Sequence, residues 1–459
     1  MPASIAQLSG AVQPPALEPP GEVVYPRRLP RQTELAMTDS TFPLPAGGRS
    51  GRRLVVLMCL AEALSMTGFA AYPAFLALLR DGWGLTGSAA GFIGGAYFAG
   101  YMTAVPILSG LTDRFDARRI HIAACLLAAA GNLGFALGAQ GVASAAFFQA
   151  LAGAGLGGTY MPGLKALTDR VGGPRQSRYV SFYTATFGVG TSLSLFLAGF
   201  LGRLVAWPAA FGLLAAGPAL AAALVAAGLP ARPPAAPAAG AAPGLFRSFA
   251  VLGDRRVRGY ILRYAVHCFE LFGLRSWMVA FILFAYGLAP DSRPPVGATE
   301  AAALINFLGI PVSILGNEAA MRLGRKRFIP AAMLASGTLA WAAGFAAAAP
   351  WWVLLPVLGL YFVAVMSDSA ALTAGLVEAT RPHGRGAAMA VYSFAGFGAG
   401  FLAPLVFGAV LDAAGGKGAP AAWGLACGSL GAGCLAAALC SRRRSSRSGG
   451  RAAPPRHRG

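Results

Sequence analysis

The chain reads as an all-α membrane protein, with twelve transmembrane helices in two pseudo-symmetric six-helix bundles. Three observations carry that reading. Twelve apolar runs, each long enough to cross a bilayer, follow one another from Leu54 to Cys440. Charged residues make up 12% of the chain and hydrophobic ones 56%, where a soluble protein carries about 25% charged residues. A basic sequence between the second and third runs returns in weaker form between the eighth and ninth, as a duplicated chain would show.

Residues 1–53 are rich in proline and polar groups and show no helical period, so they are expected to form a disordered cytoplasmic arm. No apolar core precedes Leu54, so no signal peptide is expected, and Met37 offers an alternative start. The first six runs cover about 54–79, 88–110, 119–138, 142–167, 178–201 and 205–228, an N-terminal bundle over 54–228. Residues 229–258 are the longest internal connection. Arg232-Pro233-Pro234-Ala235-Ala236-Pro237 cannot sustain a helix, and Arg247, Arg255, Arg256 and Arg258 suit an anionic leaflet, so a cytoplasmic linker is expected. The remaining runs cover about 259–287, 298–320, 327–348, 351–377, 385–411 and 420–440, a C-terminal bundle over 259–440. Residues 441–459 open on Ser441-Arg442-Arg443-Arg444, a basic stop, and are expected to form a disordered tail. Gly153, Gly155, Gly157 and Gly158 in the fourth run, and Gly396, Gly398 and Gly400 in the eleventh, should let helices approach closely.

Lys and Arg set the orientation. With the N-terminus inside, Arg80, Arg203, Arg293 and Lys417 fall outside, Arg263 and Arg275 fall within the seventh run, and all other basic residues are cytoplasmic. An even number of spans then leaves both termini inside, in a multi-pass protein of the bacterial inner membrane. The net charge of +20 lies in short clusters between runs and in the tails, not on one amphipathic face, which argues against nucleic acid. Cys59, Cys125, Cys268, Cys427, Cys434 and Cys440 all lie in or at the ends of apolar runs, as reduced thiols packed like small apolar side chains would. None has metal-ligand spacing with a histidine, so neither a metal nor a cofactor is expected. The expected partners are the lipid bilayer, a small-molecule substrate and protons, with the chain acting as a monomer.

Between the second and third runs stands Gly110-Leu111-Thr112-Asp113-Arg114-Phe115-Asp116-Ala117-Arg118-Arg119. Such a charge cluster is costly in hydrocarbon and must lie at a membrane surface. Asp113 is expected beside a helix N-terminus, and the arginines can bond that acid or a neighbouring helix end. Gly110, Asp113, Arg114, Arg118 and Arg119 resemble the loop between helices 2 and 3 of the major facilitator superfamily of secondary transporters. Asp116 departs from that pattern, which usually has a second glycine there. Met321-Arg322-Leu323-Gly324-Arg325-Lys326-Arg327 is the weaker copy, keeping the glycine but placing Met321 where the acid would be. Tyr183-Thr184-Ala185-Thr186-Phe187-Gly188-Val189-Gly190 likewise resembles Tyr392-Ser393-Phe394-Ala395-Gly396-Phe397-Gly398-Ala399-Gly400, allowing one insertion. The resemblance implies a central cavity between the halves and alternating access by rocking. Gly110, Asp113, Arg114 and Arg118, with Arg322, Gly324 and Arg325, would then form the inner gate.

Ionisable groups inside the runs are the candidate site, because each costs a few kcal/mol or more at the bilayer centre. Glu62 shares the rhythm of one helix face with Ser65, Phe69 and Tyr72, and reads as a proton or substrate site or as a structural hydrogen bond. In the seventh run, Arg263, His267, Glu270 and Trp277 share a face. That face suggests a titratable His267–Glu270 pair, or an Arg263 that simply neutralises Glu270. Arg275 points away from Glu270; its planar fork suits a carboxylate, or it pairs with an acid such as Glu62. Asp368, flanked by Ser367 and Ser369, is either a coupling acid or the N-cap of a broken helix. Glu270, His267, Glu62 and Asp368 are therefore the proton candidates. Arg275, Glu62, Asn306 and Trp277 are the solute candidates, while Tyr97 and Tyr101 are read as packing.

The function implied is secondary active transport, by symport or antiport, of a small organic solute such as an anion, coupled to protons. An exporter of hydrophobic compounds in the same fold is the rival reading. Proton-coupled drug exporters of the family usually carry a Gly-Pro signature in helix 5, whereas the fifth run here has Gly188 and Gly190 but no proline. Nitrate-type members place anion-binding arginines in helices 2 and 8, and neither run has one here. A membrane-embedded enzyme or a non-transporting sensor is the reading from another class; an enzyme would need a nucleophile–base constellation or metal ligands, and the chain is read as not an enzyme.

Overall fold

The computed structural model describes residues 48–172, 175–232, 248–288, 294–381 and 385–449. The helices of the first half are α1 Gly48–Ser65, α2 Ala71–Gly82, α3 Gly87–Leu111, α4 Ala117–Gly138, α5 Val142–Thr168, α6 Gln176–Gly202 and α7 Trp207–Gly228. After a short 3-10 turn at Phe249–Gly253 come α8 Arg255–Leu288, α9 Ala298–Leu323, α10 Arg325–Phe345, α11 Trp351–Ser367, α12 Ser369–Ala379, α13 Arg385–Ala413 and α14 Pro420–Gly449. Eleven crossings among the described residues are long and apolar enough for a bilayer, counting α11 and α12 as one. The twelfth, over the expected 54–79, is divided into α1 and α2. The molecule is thus an all-α membrane protein of the twelve-helix, two-bundle kind. The proposed start at Met37 and most of the N-terminal arm lie outside the described residues, as do linker residues 233–247.

Two differences from the sequence-based expectation concern helix ends. α1 opens at Gly48, ahead of the expected first run, and α14 continues to Gly449, past the basic stop at Ser441. Arginine is a good helix former and a favourable charge near a helix C-terminus, so apolar composition marks the membrane boundary there and not the end of the helix.

The break at 66–70 is stabilised from neighbouring helices. The Ala70 N–H donates to Ser194 Oγ at 2.9 Å, and that hydroxyl donates to the Thr67 carbonyl at 2.6 Å. The Thr67 hydroxyl reaches the Leu214 carbonyl at 2.8 Å. Irregular backbone survives at membrane depth when protein groups satisfy it, and Ser194 of α6 does so here, while α7 anchors the Thr67 side chain. The expected face of Glu62, Ser65, Phe69 and Tyr72 is therefore not continuous. The Ser65 hydroxyl bonds back to the Glu62 carbonyl, and Phe69 packs edge-on against Tyr97 and Phe187 beyond the break. A second break, between α11 and α12, falls at Asp368.

The glycine runs act as expected. A Cβ on Gly153 would fall 1.8 Å from the Tyr97 carbonyl oxygen, and one on Gly396 would fall 2.4 Å from the Tyr264 ring. The two halves meet most closely where α3 begins and α13 ends. There a Cβ on Gly91 would stand 2.0 Å from the Pro404 carbonyl oxygen. Asp412 seals that end: it accepts from the Gly87 and Ser88 N–H groups at 2.6 and 2.8 Å and from the Ser88 hydroxyl at 2.8 Å, with Arg80 at 3.7 Å. These are the free donors of a helix N-terminus, where a carboxylate is favoured. Ion pairs Lys417–Asp81 and Arg203–Glu300 lie at the same end. Toward the opposite end, Ile310 of α9 still meets Gly188 of α6, but Ile314, one turn on, is 60% exposed, and a Cβ on Gly110 would meet open space.

Candidate functional site

Between the halves lies a narrow cleft lined by Phe69, Tyr97 and Phe98 of the first half with Gln149 and Thr191, and by Arg275 and Ser276 of the second. Arg275 sits on α8 with its Nε donating to Asn306 Oδ1 at 2.9 Å. Asn306 in turn donates from Nδ2 to the Ala302 carbonyl one turn back, so its amide is fixed with the acceptor toward the arginine. The guanidinium carbon lies 5.6 Å from the Phe362 ring centre, within cation–π range. The alternative in which Arg275 pairs with Glu62 is not what the structure holds: Arg275 bonds Asn306, and Glu62 is met by Tyr183. Trp277, placed among the solute candidates, is held in the core instead. It is 1% exposed, donates Nε1–H to the Pro404 carbonyl at 3.0 Å and stacks on Phe407. Its amphipathic ring suited either role, and the bonded N–H leaves it no free polar group.

The expected His267–Glu270 pair does not form. His267 Nδ1 lies 2.8 Å from Asp368 Oδ1, an ion-pair distance without hydrogen-bond alignment. Both side chains are almost wholly buried. Asp368 stands at the junction of α11 and α12 but makes no side-chain cap bond, so its carboxyl is free to face α8. Glu270 instead accepts the Ser336 hydroxyl from α10 at 2.8 Å, with Cys434 and Tyr361 beside it, and its Oε1 has no partner. His267 and Glu270 share a face by periodicity, yet different neighbouring helices claim them. Arg263 reaches Ser441 Oγ at 2.9 Å, near the membrane surface.

In the first half, Glu62 is fully buried and faces Tyr183, whose hydroxyl lies 3.0 Å from Oε2 and 3.1 Å from the Thr159 carbonyl. The same carbonyl lies 3.0 Å from His121 Nδ1, which must be the donor because a carbonyl has no proton. A phenol has one proton, so Tyr183 can give it to Glu62 or to Thr159 but not fully to both. His121 was not singled out from the sequence; it is the histidine nearest the basic loop, and that alone could have flagged it.

The expected gate residues are distributed differently. Asp113 and Arg114 are exposed on the turn after α3. Asp116, not Asp113, caps a helix: it accepts the Arg118 N–H at 3.0 Å at the start of α4. Asp116 also binds Arg170 with both oxygens, at 2.8 and 2.9 Å, and accepts the Arg232 N–H at 2.7 Å. Arg170 extends the knot to the Pro230 and Ala166 carbonyls. Burial alone would push the Asp116 carboxyl up; the Arg170 guanidinium and the Arg232 and Arg118 N–H groups outweigh it and hold it below the usual carboxylate range. The Arg118 guanidinium bonds the Val225 and Ala226 carbonyls at the end of α7, a cation at a helix C-terminus as anticipated. In the second half Gly324 turns the chain between α9 and α10 with φ at 83°, a left-handed conformation glycine tolerates. Arg325 pairs with Glu378, and Arg322 is exposed.

Two related helical halves, a broken span in each and a cleft between them that carries a few polar groups among aromatic ones are the architecture of a multi-pass membrane transport protein. Residues 58–404 match the Major Facilitator Superfamily, and the chain belongs to that family. Its fold is similar to a bacterial homologue of the human lysosomal transporter Spinster in an inward-facing, unoccupied conformation. The TM-score is 0.69 at 15% identity, over 87% of this chain and 96% of that one. A mutant of the nucleoside transporter NupG gives a TM-score of 0.70 at 14% identity, over 85% and 99% of the two chains. The xylose transporter XylE from E. coli, partially occluded and inward open, gives 0.64 at 14% identity, over 86% and 98%. No curated protein matches in sequence. The protein is a secondary transporter.

Proposed function

We propose that this transporter moves a small organic solute across the bacterial inner membrane by alternating access, coupled to protons, with both termini in the cytoplasm. The observation that carries the coupling is the pair of glutamates, Glu62 and Glu270, buried within the spans, each bonded through one oxygen while the other has no partner. A carboxylate so placed keeps its charge only if a partner arrives, and otherwise takes a proton. Protonation therefore changes which bonds each glutamate can make and biases one arrangement of helices over another. For Glu62 the switch is concrete: protonated, it donates to Tyr183, which donates onward to Thr159; ionised, it draws the Tyr183 proton to itself. The His267–Asp368 contact links α8 to the α11–α12 break and is the second candidate relay.

The distribution of Lys and Arg supports cytoplasmic termini, so the end sealed by Asp412 faces outward and the state is inward-facing. The division at 229–258 supports two bundles, 54–228 and 259–440, that rock about the cleft. Asp113, Arg114, Arg118, Arg322 and Arg325, with Gly110 and Gly324, form the inner ends that close in the opposite state.

A thermal-shift screen of the purified protein against small acids, amines, sugars and drugs supplies a solute. Uptake into proteoliposomes then follows an imposed pH gradient. Glu270→Gln is expected to abolish gradient-driven uptake while leaving solute binding. Full uptake with an unchanged pH dependence would remove Glu270 from the mechanism.

A further inference from the structure

Arg275 is a permanent cation in the cleft, yet no carboxylate answers it. Its recorded protein bond is through Nε to Asn306, which leaves both Nη groups without an acceptor among the described residues. In the same lining, from the first half, Gln149 of α5 is 4% exposed and has no hydrogen-bond partner for its amide among the described residues. The Tyr97 and Ser276 hydroxyls also line the cleft and have no hydrogen-bond partner among the described residues. A buried amide and an uncompensated guanidinium each cost free energy if left so, and buried polar groups in proteins are almost always bonded. Apart from Thr191, whose hydroxyl is bonded to the Phe187 carbonyl, the rest of the lining is mostly apolar or aromatic, with Phe69, Tyr72, Phe98 and Leu195 its larger members.

We propose that the Arg275–Gln149 cleft takes a small organic monoanion, a single carboxylate on a flat apolar body, bridging the two halves. This rests on the transporter reading above and names its solute class. The carboxylate occupies the free Nη fork, whose planar geometry matches it. One cation in the lining calls for one negative charge. The flat body lies among the rings of Phe69, Tyr97 and Phe98, and a polar atom at its far end meets Gln149. The carboxylate is then held by the second half and the far end by the first, so the solute itself senses how the halves stand. The space at the centre of the cleft is about 20 Å³, room for about one water, so the solute binds only when the halves part from this state.

The test titrates the purified full-length protein with benzoate, benzyl alcohol, benzylamine and sulfate, reading melting temperature and heat of binding. Benzoate is expected to bind, and the other three at least tenfold more weakly. Arg275→Gln and Arg275→Lys should each weaken benzoate tenfold or more, the lysine because it keeps the charge but loses the fork. Asn306→Asp supplies a control that keeps the arginine: its carboxylate would neutralise the guanidinium from inside and should abolish benzoate binding. Benzyl alcohol or benzylamine binding as tightly as benzoate overturns the inference, and so does benzoate binding that survives Arg275→Gln. Sulfate binding as tightly as benzoate also overturns it, because the site would then read charge without the body. None of these outcomes touches the transporter reading. That reading falls instead if cysteine-labelled positions at both ends of the cleft react alike with and without solute.

Discussion

The two halves tie the foot of one helix to the end of the next with an ion pair, but with the charges exchanged. In the first half the acid is Asp116 at the start of α4 and the base is Arg170 just after α5. In the second the base is Arg325 at the start of α10 and the acid is Glu378 near the end of α12. The interval from Asp116 to Gly324 is also the interval from Arg170 to Glu378, and from Glu62 to Glu270. At that interval Glu378 stands in the place of Arg170, but Gly324 stands in the place of Asp116 and the base is the next residue, Arg325, so the contact recurs one residue along with its sign reversed. The environments differ as well. The Asp116 and Arg170 side chains are 9% and 5% exposed and share further bonds to the chain around Pro230 and Arg232, whereas Glu378 is 65% exposed. The first pair clamps the α4 and α5 ends to the start of the linker, and the second sets a largely covered Arg325, 15% exposed, against a carboxylate that stands in solvent. Of the two, the first half carries the firmer tie.

The largest expected effect tests that difference directly. Asp116→Ala should cost about 3 kcal/mol, because it strands a buried arginine. Glu378→Ala should cost less than about 1 kcal/mol, as an exposed pair does. Unfolding of the detergent-solubilised variants in a denaturant titration checks both, and equal losses would mean that burial does not separate the two pairs.

Exchanging the charges sharpens the point. If each pair were only an ion pair, Asp116→Arg with Arg170→Asp should behave like the second half and recover its stability. Asp116, however, also caps α4 through the Arg118 N–H and accepts the Arg232 N–H, and an arginine can accept neither. The double exchange is expected to recover less than half of the single-variant loss. Arg325→Glu with Glu378→Arg should recover more of its single-variant loss than the first-half exchange, since no backbone N–H is capped by either side chain there. Full recovery in the first half would show that the backbone bonds to Asp116 contribute little.

How much of this was legible beforehand follows from what a pattern can encode. Apolar run length placed the crossings, because the bilayer demands it of every span. The break at Met66–Ala70 did not show, since hydropathy is blind to a backbone turn whose Ala70 N–H and Thr67 carbonyl are both met by Ser194 from elsewhere in the chain. Periodicity put His267 and Glu270 on one face of α8 but could not say that Asp368 and Ser336 would meet them. A face names a direction and not a neighbour. Arg275 and Asn306 were both picked out, and their bond joins helices adjacent in sequence. Arg170 was read as one more cytoplasmic charge, and Asp116 only as a departure from a familiar loop. Their partnership depends on how α4, α5 and the linker converge, which no local pattern states.

The smallest expected effect isolates charge from packing at Asp116. Its carboxyl is held below the ordinary range by Arg170 and the two N–H groups, against the opposing push of burial. For a group whose folded value is depressed, the stabilisation is complete above the unfolded value, about 3.9 for an aspartate, and disappears as pH falls through the folded value. Asp116→Asn removes the charge and leaves one side-chain oxygen to cap α4. The gap in melting temperature between the native chain and this variant should therefore be constant from neutral pH down to about 5 and close progressively below about 4. A gap that persists unchanged at low pH would assign the stability to the shape of the knot at Arg170, Pro230 and Arg232. The comparison between the halves would then rest on burial and backbone bonds, with the exchanged charges a consequence of duplication alone.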